Sequence, residues 1–241
     1  MTNGWDAAAA AVARAANLEF DHVRYGPDGP SEADARLLGD VSGKRVLDLG
    51  CGLGQASIAL EHRGAHAIAI DASPKMLAEG RRLADAQEVT VEWHKGDLAD
   101  LAFLRAESVD AAVCIDALPE VDDADRLFRQ VHRVLRPGAP FVCSYEHPLR
   151  SCLGRDTPTA QGGLALGHLV VERSYFDPEP VVVRRHEADI TVWPRTLAEV
   201  FAAFHRAGYR VDVLIEPEPS DSGTDPAVPN TVVWRARKEG N

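Results

Sequence analysis

The chain has 241 residues, enough for one large domain or a domain with a substantial insertion, and for a sizeable core. Its net charge is −11, from 26 basic and 37 acidic residues with no basic block. This argues against a nucleic-acid substrate and an anionic membrane surface, because Lys and Arg supply most of the affinity for phosphate. The four cysteines form no C-x-x-C pair, no cluster has metal-ligand spacing, and no apolar run approaches the roughly 18 residues of a membrane span, so a reduced, metal-free cytoplasmic protein is expected.

Trp5 to Phe20 is alanine-rich and reads as a helix, and Ala7 to Ala11 lacks the basic flank and strong apolarity of a signal peptide. Arg24 to Pro30 (R-Y-G-P-D-G-P) is a turn-dense loop, after which Ser31 caps a short helix. Residues 1–40 are thus expected to form an N-terminal helical cap on a core that begins at 41.

Val46 to Leu49 is a short buried strand that runs into Gly50, Gly52 and Gly54 at alternate positions. Three such glycines fit neither a strand nor a helix interior; they suit a sharp turn that another molecule approaches closely. A helical pattern follows from Gln55 and stops at Gly64, so the unit is strand, glycine turn, helix, with N–H groups beside a ligand. The G-x-G-x-x-G dinucleotide frame fails, because its third glycine would fall on Gln55 or Ser57. Asp48, inside the strand, is also foreign to that frame and would sit close to a cationic group of the ligand. The run D-L-G-C-G-L-G resembles motif I of the class I S-adenosylmethionine-dependent methyltransferases, and the rest of the chain is read both from its residues and from that resemblance.

Ala65 to Ile70 is the second strand. It ends at Asp71, placed to accept from both ribose hydroxyls, while Ser73-Pro74 caps the next helix and leaves Asp71 free. Ala72 adjoins it, and Met76, on the helix ending near Gln87, reads either as an adenine contact or as core. Val89 to His94 is the third strand. The following Gly96-Asp97-Leu98 resembles the family's adenine-binding turn, which gives Asp97 the adenine amino group. Val109 to Ile115 is the fourth strand, and Asp116 after it falls at the family's motif IV, near the methionine ammonium. It lacks the [DN]-P-P-[YFW] run of enzymes that methylate base or glutamine nitrogens.

Asp122 reads as the cap of a helix over Asp125 to Arg136, and R-V-L-R-P-G leads into a fifth strand, Phe141 to Tyr145. Glu146 to Pro194 breaks the alternation, with strand-like runs near His168 to Tyr175 and Val181 to Val192. Thr196 caps a last helix with Leu197, Val200, Phe201 and Phe204 inward, and Tyr209 to Ile215 and Thr231 to Ala236 form an antiparallel pair at the sheet edge. The resemblance implies a Rossmann-like α/β fold: a seven-stranded, mostly parallel sheet with an antiparallel edge strand, helices on both faces and a lid insertion after the fifth strand. The parts are a core at 41–148, an acceptor lid at 149–194 and a returning core segment at 195–241.

The resemblance further implies S-adenosyl-L-methionine as cofactor and methyl transfer to a small-molecule O, N or C acceptor, by a monomer or homodimer. The donor site would comprise Asp48, Gly50, Cys51, Gly52, Gly54, Asp71, Ala72, Met76, Gly96, Asp97, Leu98, Ile115 and Asp116, with Tyr25 from the segment of His22 and Arg24 folding over it. An oxygen or carbon acceptor usually needs a proton removed, and His147, just past the fifth strand, is the candidate base, ahead of Tyr145 and His168, the other reading of His147 being a structural histidine before Pro148 in a turn. Tyr175, Phe176 and Trp193 line an acceptor pocket or merely pack. A non-catalytic S-adenosylmethionine sensor and an NAD-dependent oxidoreductase stand as alternatives; the glycine spacing and Asp48 oppose the second.

Overall fold

The structure is a computed structural model that describes residues 4–15, 18–154, 171–186, 188–219 and 228–240. Its elements in chain order are α1 (Gly4–Ala15), α2 (Glu32–Ala35), β1 (Arg45–Leu49), α3 (Gln55–His62), β2 (His66–Asp71), α4 (Pro74–Ala86), β3 (Glu92–Lys95) and β4 (Ala111–Ile115). Then come α5 (Ala124–Val134), β5 (Pro140–Glu146), β6 (Val181–Arg185), β7 (Ala188–Val192), α6 (Leu197–Arg206), β8 (Tyr209–Ile215) and β9 (Thr231–Lys238).

Seven strands form one sheet in the order β3-β2-β1-β4-β5-β9-β8, and β6 and β7 make a separate hairpin. The first five strands are parallel; β1, β2, β4 and β5 have the near-continuous apolar runs of strands covered on both faces, whereas β3, at the sheet edge, is polar. β9 runs antiparallel between β5 and β8, so the two C-terminal strands form the antiparallel edge of the sheet. Alternation along each strand divides the core. Val46, Ala67, Ala69 and Val113 pack under α1, α3 and α4, while Leu47, Ile68, Cys114 and Phe141 pack under α5 and α6.

Several boundaries differ from the sequence reading. α1 ends at Ala15, and residues 18–20 are not helical. The third strand starts at Glu92, because Glu88 takes a left-handed turn (φ 55°) after α4. Asp123, not Asp122, caps α5, accepting from the Arg126 N–H. Phe201 is 52% exposed rather than inward; Val200 and Phe204 fill that face of α6. Val181 to Val192 forms the β6–β7 hairpin, whereas residues 171–175 form no strand beyond a single bridge from Val171 to Leu153, and His168 lies outside the described residues.

Candidate functional site

Strand order reverses between β1 and β4, and in open α/β sheets ligands bind beyond the carboxyl ends of the strands at such a point. A cleft of about 950 Å³ lies there, floored by the β1–α3 turn and by the ends of β2, β3 and β4. The turn is built by its glycines. Gly50 has φ 70°, and a Cβ on it would stand 2.3 Å from that of Ala117. Gly52 has φ 52°, with no atom within 4 Å of where its Cβ would be, so its face is open to a ligand. Gly54 (φ 78°) begins α3, and a Cβ there would meet the Trp93 ring at 2.4 Å.

Asp71 joins this turn to α4. Its Oδ2 accepts from the Gly52 N–H at 3.0 Å and its Oδ1 from the Ser73 N–H at 2.8 Å. Ser73 caps α4 as the sequence indicates. Each carboxylate oxygen therefore keeps a lone-pair direction for a diol. Asp97 accepts from the Ala99 N–H, which fixes the turn after β3. Asp116 adopts φ 58° just after β4, its N–H bonded to the Ser144 carbonyl.

The structure gathers Gly50, Cys51, Gly52, Asp71, Ala72, Met76, Gly96, Asp97, Leu98, Ile115 and Asp116 around the one cleft. Gly54 stands just behind it, and two other residues expected there are placed elsewhere. Asp48 is 2% exposed and accepts from the Ser57 hydroxyl at 2.6 Å, so it ties β1 to α3 beneath the turn rather than facing a ligand. Tyr25 is fully buried and donates to Glu32, whose carboxylate also accepts from the Leu37, Leu38 and Gly39 N–H groups. The segment of His22, Arg24 and Tyr25 thus anchors the N-terminal region instead of covering the cleft.

The cover is α1. Trp5 and Val12 line the cleft, the Trp5 Nε1–H donates to Glu120 Oε2 at 2.6 Å, and Asp6 Oδ1 accepts from the Ser73 hydroxyl at 2.5 Å. On the other side, the β6–β7 hairpin brings Arg185, Ile190 and Thr191 to the rim. The sequence reading missed these residues. An alanine-rich helix looks the same wherever it docks, and hairpin placement depends on the whole chain; only Glu120, four residues past Asp116, had a local signal.

The cleft is acidic. Burial pushes the Asp116 carboxyl up to about 6 and the Glu120 carboxyl up to about 7; burial also raises Asp71, against the pull of its backbone N–H partners. Such groups take up protons on folding, so the unliganded protein should lose stability as pH rises from about 4 to about 7. A bound cation reverses the balance, because it favours the ionised carboxylates. For the S-adenosylmethionine that the sequence resemblance implies, affinity should therefore rise several-fold between about pH 5.5 and about pH 8, and affinity for S-adenosylhomocysteine, which lacks the sulfonium charge, should rise less. Calorimetry at the two pH values checks this; tighter binding at the acid end would show that these carboxylates do not face the sulfonium.

A second cavity of about 550 Å³ adjoins the first. Its walls include Leu118, Tyr145, Leu153, Val183 and Val200, and Arg185 and Trp193 line both cavities. Tyr175 and Phe176 are not among its lining residues: the Tyr175 hydroxyl accepts from the Leu197 N–H and Phe176 is 80% exposed. His147 lines neither cavity. It is 4% exposed, its Nδ1 accepts from the Leu149 N–H at 3.1 Å, and its Nε2 is therefore the protonated nitrogen, 2.7 Å from Glu216 Oε1. With both nitrogens occupied, His147 holds the end of β5 in place and has no free lone pair for an acceptor's proton. Tyr145 accepts from the Trp234 indole at 3.1 Å, and burial pushes its hydroxyl well above the usual phenol range, so it can donate a hydrogen bond but is no base at neutral pH.

Among the described residues, no group of three or more His, Cys, Asp or Glu could hold a metal, and no helix is long and apolar enough to cross a membrane. Cys51, Cys114, Cys143 and Cys152 are free thiols.

The residues at the cleft fit S-adenosylmethionine: an open glycine turn, an aspartate with acceptor capacity for a diol, and buried carboxylates for a cationic ligand. A family model described as "Methyltransferase domain" matches residues 46–138. A ubiquinone biosynthesis O-methyltransferase of Hahella chejuensis is 37% identical over 104 residues, 43% of this chain and 44% of that protein. A demethylmenaquinone methyltransferase of Clavibacter sepedonicus is 38% identical over 117 residues, 48% of this chain and 47% of that protein. The chain spans less than half the length of these curated relatives. The crystal structure of an S-adenosylmethionine dependent methyltransferase from Mesorhizobium loti superimposes with a TM-score of 0.68 at 30% identity, covering 84% of this chain and 94% of that one. The glycine turn, the sheet order and these likenesses together make the chain a member of the class I S-adenosylmethionine-dependent methyltransferases.

Proposed function

We propose that this protein transfers the methyl group of S-adenosylmethionine to a small molecule held in the second cavity. The observation that carries the reading is the shared wall: Arg185 and Trp193 border both the glycine-turn cleft and the adjoining, partly apolar cavity, so two ligands can meet there. In this reading the donor's sugar rests on Asp71, its adenine lies by Asp97 and Leu98, and its charged end lies by Asp116. The donor, when bound, supplies a methyl already activated on a sulfonium. What the protein adds is alignment of the acceptor atom behind that methyl and exclusion of water, and such positioning can supply much of a rate enhancement. α1 and the β6–β7 hairpin cover the meeting point, and the hairpin serves as the acceptor lid. The names of the curated relatives, ubiquinone biosynthesis O-methyltransferase and demethylmenaquinone methyltransferase, support a small-molecule acceptor, as does the net charge of −11, which disfavours nucleic acid.

Incubation with methyl-labelled S-adenosylmethionine and a fractionated cell extract tests this. Label is expected in the small-molecule fraction. Label confined to protein or nucleic acid would overturn the acceptor class, and binding of S-adenosylhomocysteine without label in any fraction would instead favour a sensor.

A further inference from the structure

The side chain at the seam of the two cavities is Arg185, the last residue of β6, followed by His186 in a left-handed turn (φ 46°). Its Nη2 donates to Glu146 Oε2 at 3.0 Å; among the described residues its Nε and Nη1 make no hydrogen bond. Asp116 and Glu120 lie close enough for its charge to lower their proton affinity. The sulfonium and ammonium of a donor in the cleft oppose this guanidinium, and the donor's carboxylate is the one group there that pairs with it.

Arg185 borders the acceptor side as well. Apolar side chains form much of that cavity's wall, Glu146 and Glu172 also border it, and its other cations are engaged or outside. Arg173 donates to the carbonyls of Asp177 and Glu179, and Arg195 to those of Leu118, Val121, Asp122 and Trp193. Arg184 pairs with Asp189 and its side chain is 64% exposed. This leaves Arg185 as the half-used cation where the partly apolar cavity meets the donor cleft.

Resting on the acceptor reading of this cavity, we propose that Arg185 determines acceptor specificity, selecting apolar molecules whose methylated oxygen is anionic: an ionised phenol or enol, or a carboxylate. A guanidinium with two unused donor positions grips such an oxygen by charge-assisted hydrogen bonds. The oxygen-to-methyl bond forms as the carbon–sulfur bond breaks, with its electron pair left on sulfur. The negative charge of the acceptor and the positive charge of the sulfonium cancel. No proton has to be removed in the cavity, which accords with His147 having no free nitrogen.

Equilibrium binding, with and without S-adenosylhomocysteine, of para-nitrophenolate and naphthoate against their uncharged counterparts para-nitroanisole and naphthamide tests this. The wild type should bind at least one anion about tenfold more tightly than its counterpart, the scale of one charged hydrogen-bond partner. Arg185→Met should abolish the preference, Arg185→Lys should keep part of it, and Glu146→Gln, which removes the competing carboxylate, should increase it. No preference in the wild type, or one that survives in Arg185→Met, overturns the assignment. If Arg185→Met does not fold, a preference unchanged in both other variants overturns it equally. Wild-type protein that binds S-adenosylhomocysteine yet shows no anion preference loses only this assignment; failure to bind S-adenosylhomocysteine removes the methyl-transfer reading itself.

Discussion

Asp71→Ala should weaken S-adenosylhomocysteine binding by about 1–3 kcal/mol, roughly 5- to 150-fold, in a protein that still folds. Two losses combine. In the proposed binding mode the ribose hydroxyls lose a charged acceptor, and the Gly52 and Ser73 N–H groups lose the oxygens that hold the glycine turn against the start of α4. Asp71→Asn separates them, because its amide oxygen can still accept from one backbone N–H while the charge is gone; an intermediate affinity is expected. Calorimetry on variants with near-native melting temperatures reads both. Unchanged affinity in Asp71→Ala would remove the ribose role from this carboxylate.

Phe204→Ala should cost about 3–5 kcal/mol of stability, the range for deleting a buried aromatic ring that its neighbours cannot collapse around. Phe204 is fully buried and lies 4.3 Å from the Phe128 ring in a stack, with Phe141 at 5.8 Å, Tyr209 at 5.7 Å and Trp234 at 6.0 Å. These rings join α5, α6, β5, β8 and β9, so a cavity there loosens five elements together. At about 2–4 °C per kcal/mol for a chain of this size, the melting temperature should fall by roughly 6–20 °C. Denaturant titration gives the free energy directly. A loss under about 1 kcal/mol would mean that the neighbouring rings re-pack into the gap.

Much of this molecule could be read before its structure was known, and the part that could not has a common cause. The strand–glycine–helix unit is local: φ values of 50–80° at Gly50, Gly52 and Gly54 leave few alternatives to a tight turn, and the apolar runs around it were long enough to order into a sheet. The positions of Asp71 and Asp97 at the cleft were legible because one ends β2 and the other lies two residues past β3, and the order of those strands follows from the alternation. His147, beside a predicted strand end, and Tyr25, in a predicted loop, each admit a structural and a ligand-facing reading, and what decides is a partner that the local pattern does not name, Glu216 for one and Glu32 for the other. Asp48 has the right spacing, but in a strand covered on both faces its side chain meets Ser57. Trp5 and Arg185 reach the cleft through α1 and a hairpin that dock by long-range contacts, which no window of neighbouring residues reports.

The placement of β9 between β5 and β8 has a consequence for biosynthesis. A ribosome delivers β8 before β9, and β8 has no pairing partner in the sheet until β9 emerges. During that interval β5 keeps one row of backbone N–H and C=O groups uncapped, an exposed edge of the kind that templates aggregation. Nascent chains whose emerged portion ends between residues 216 and 230 would be the species on which a chaperone should act.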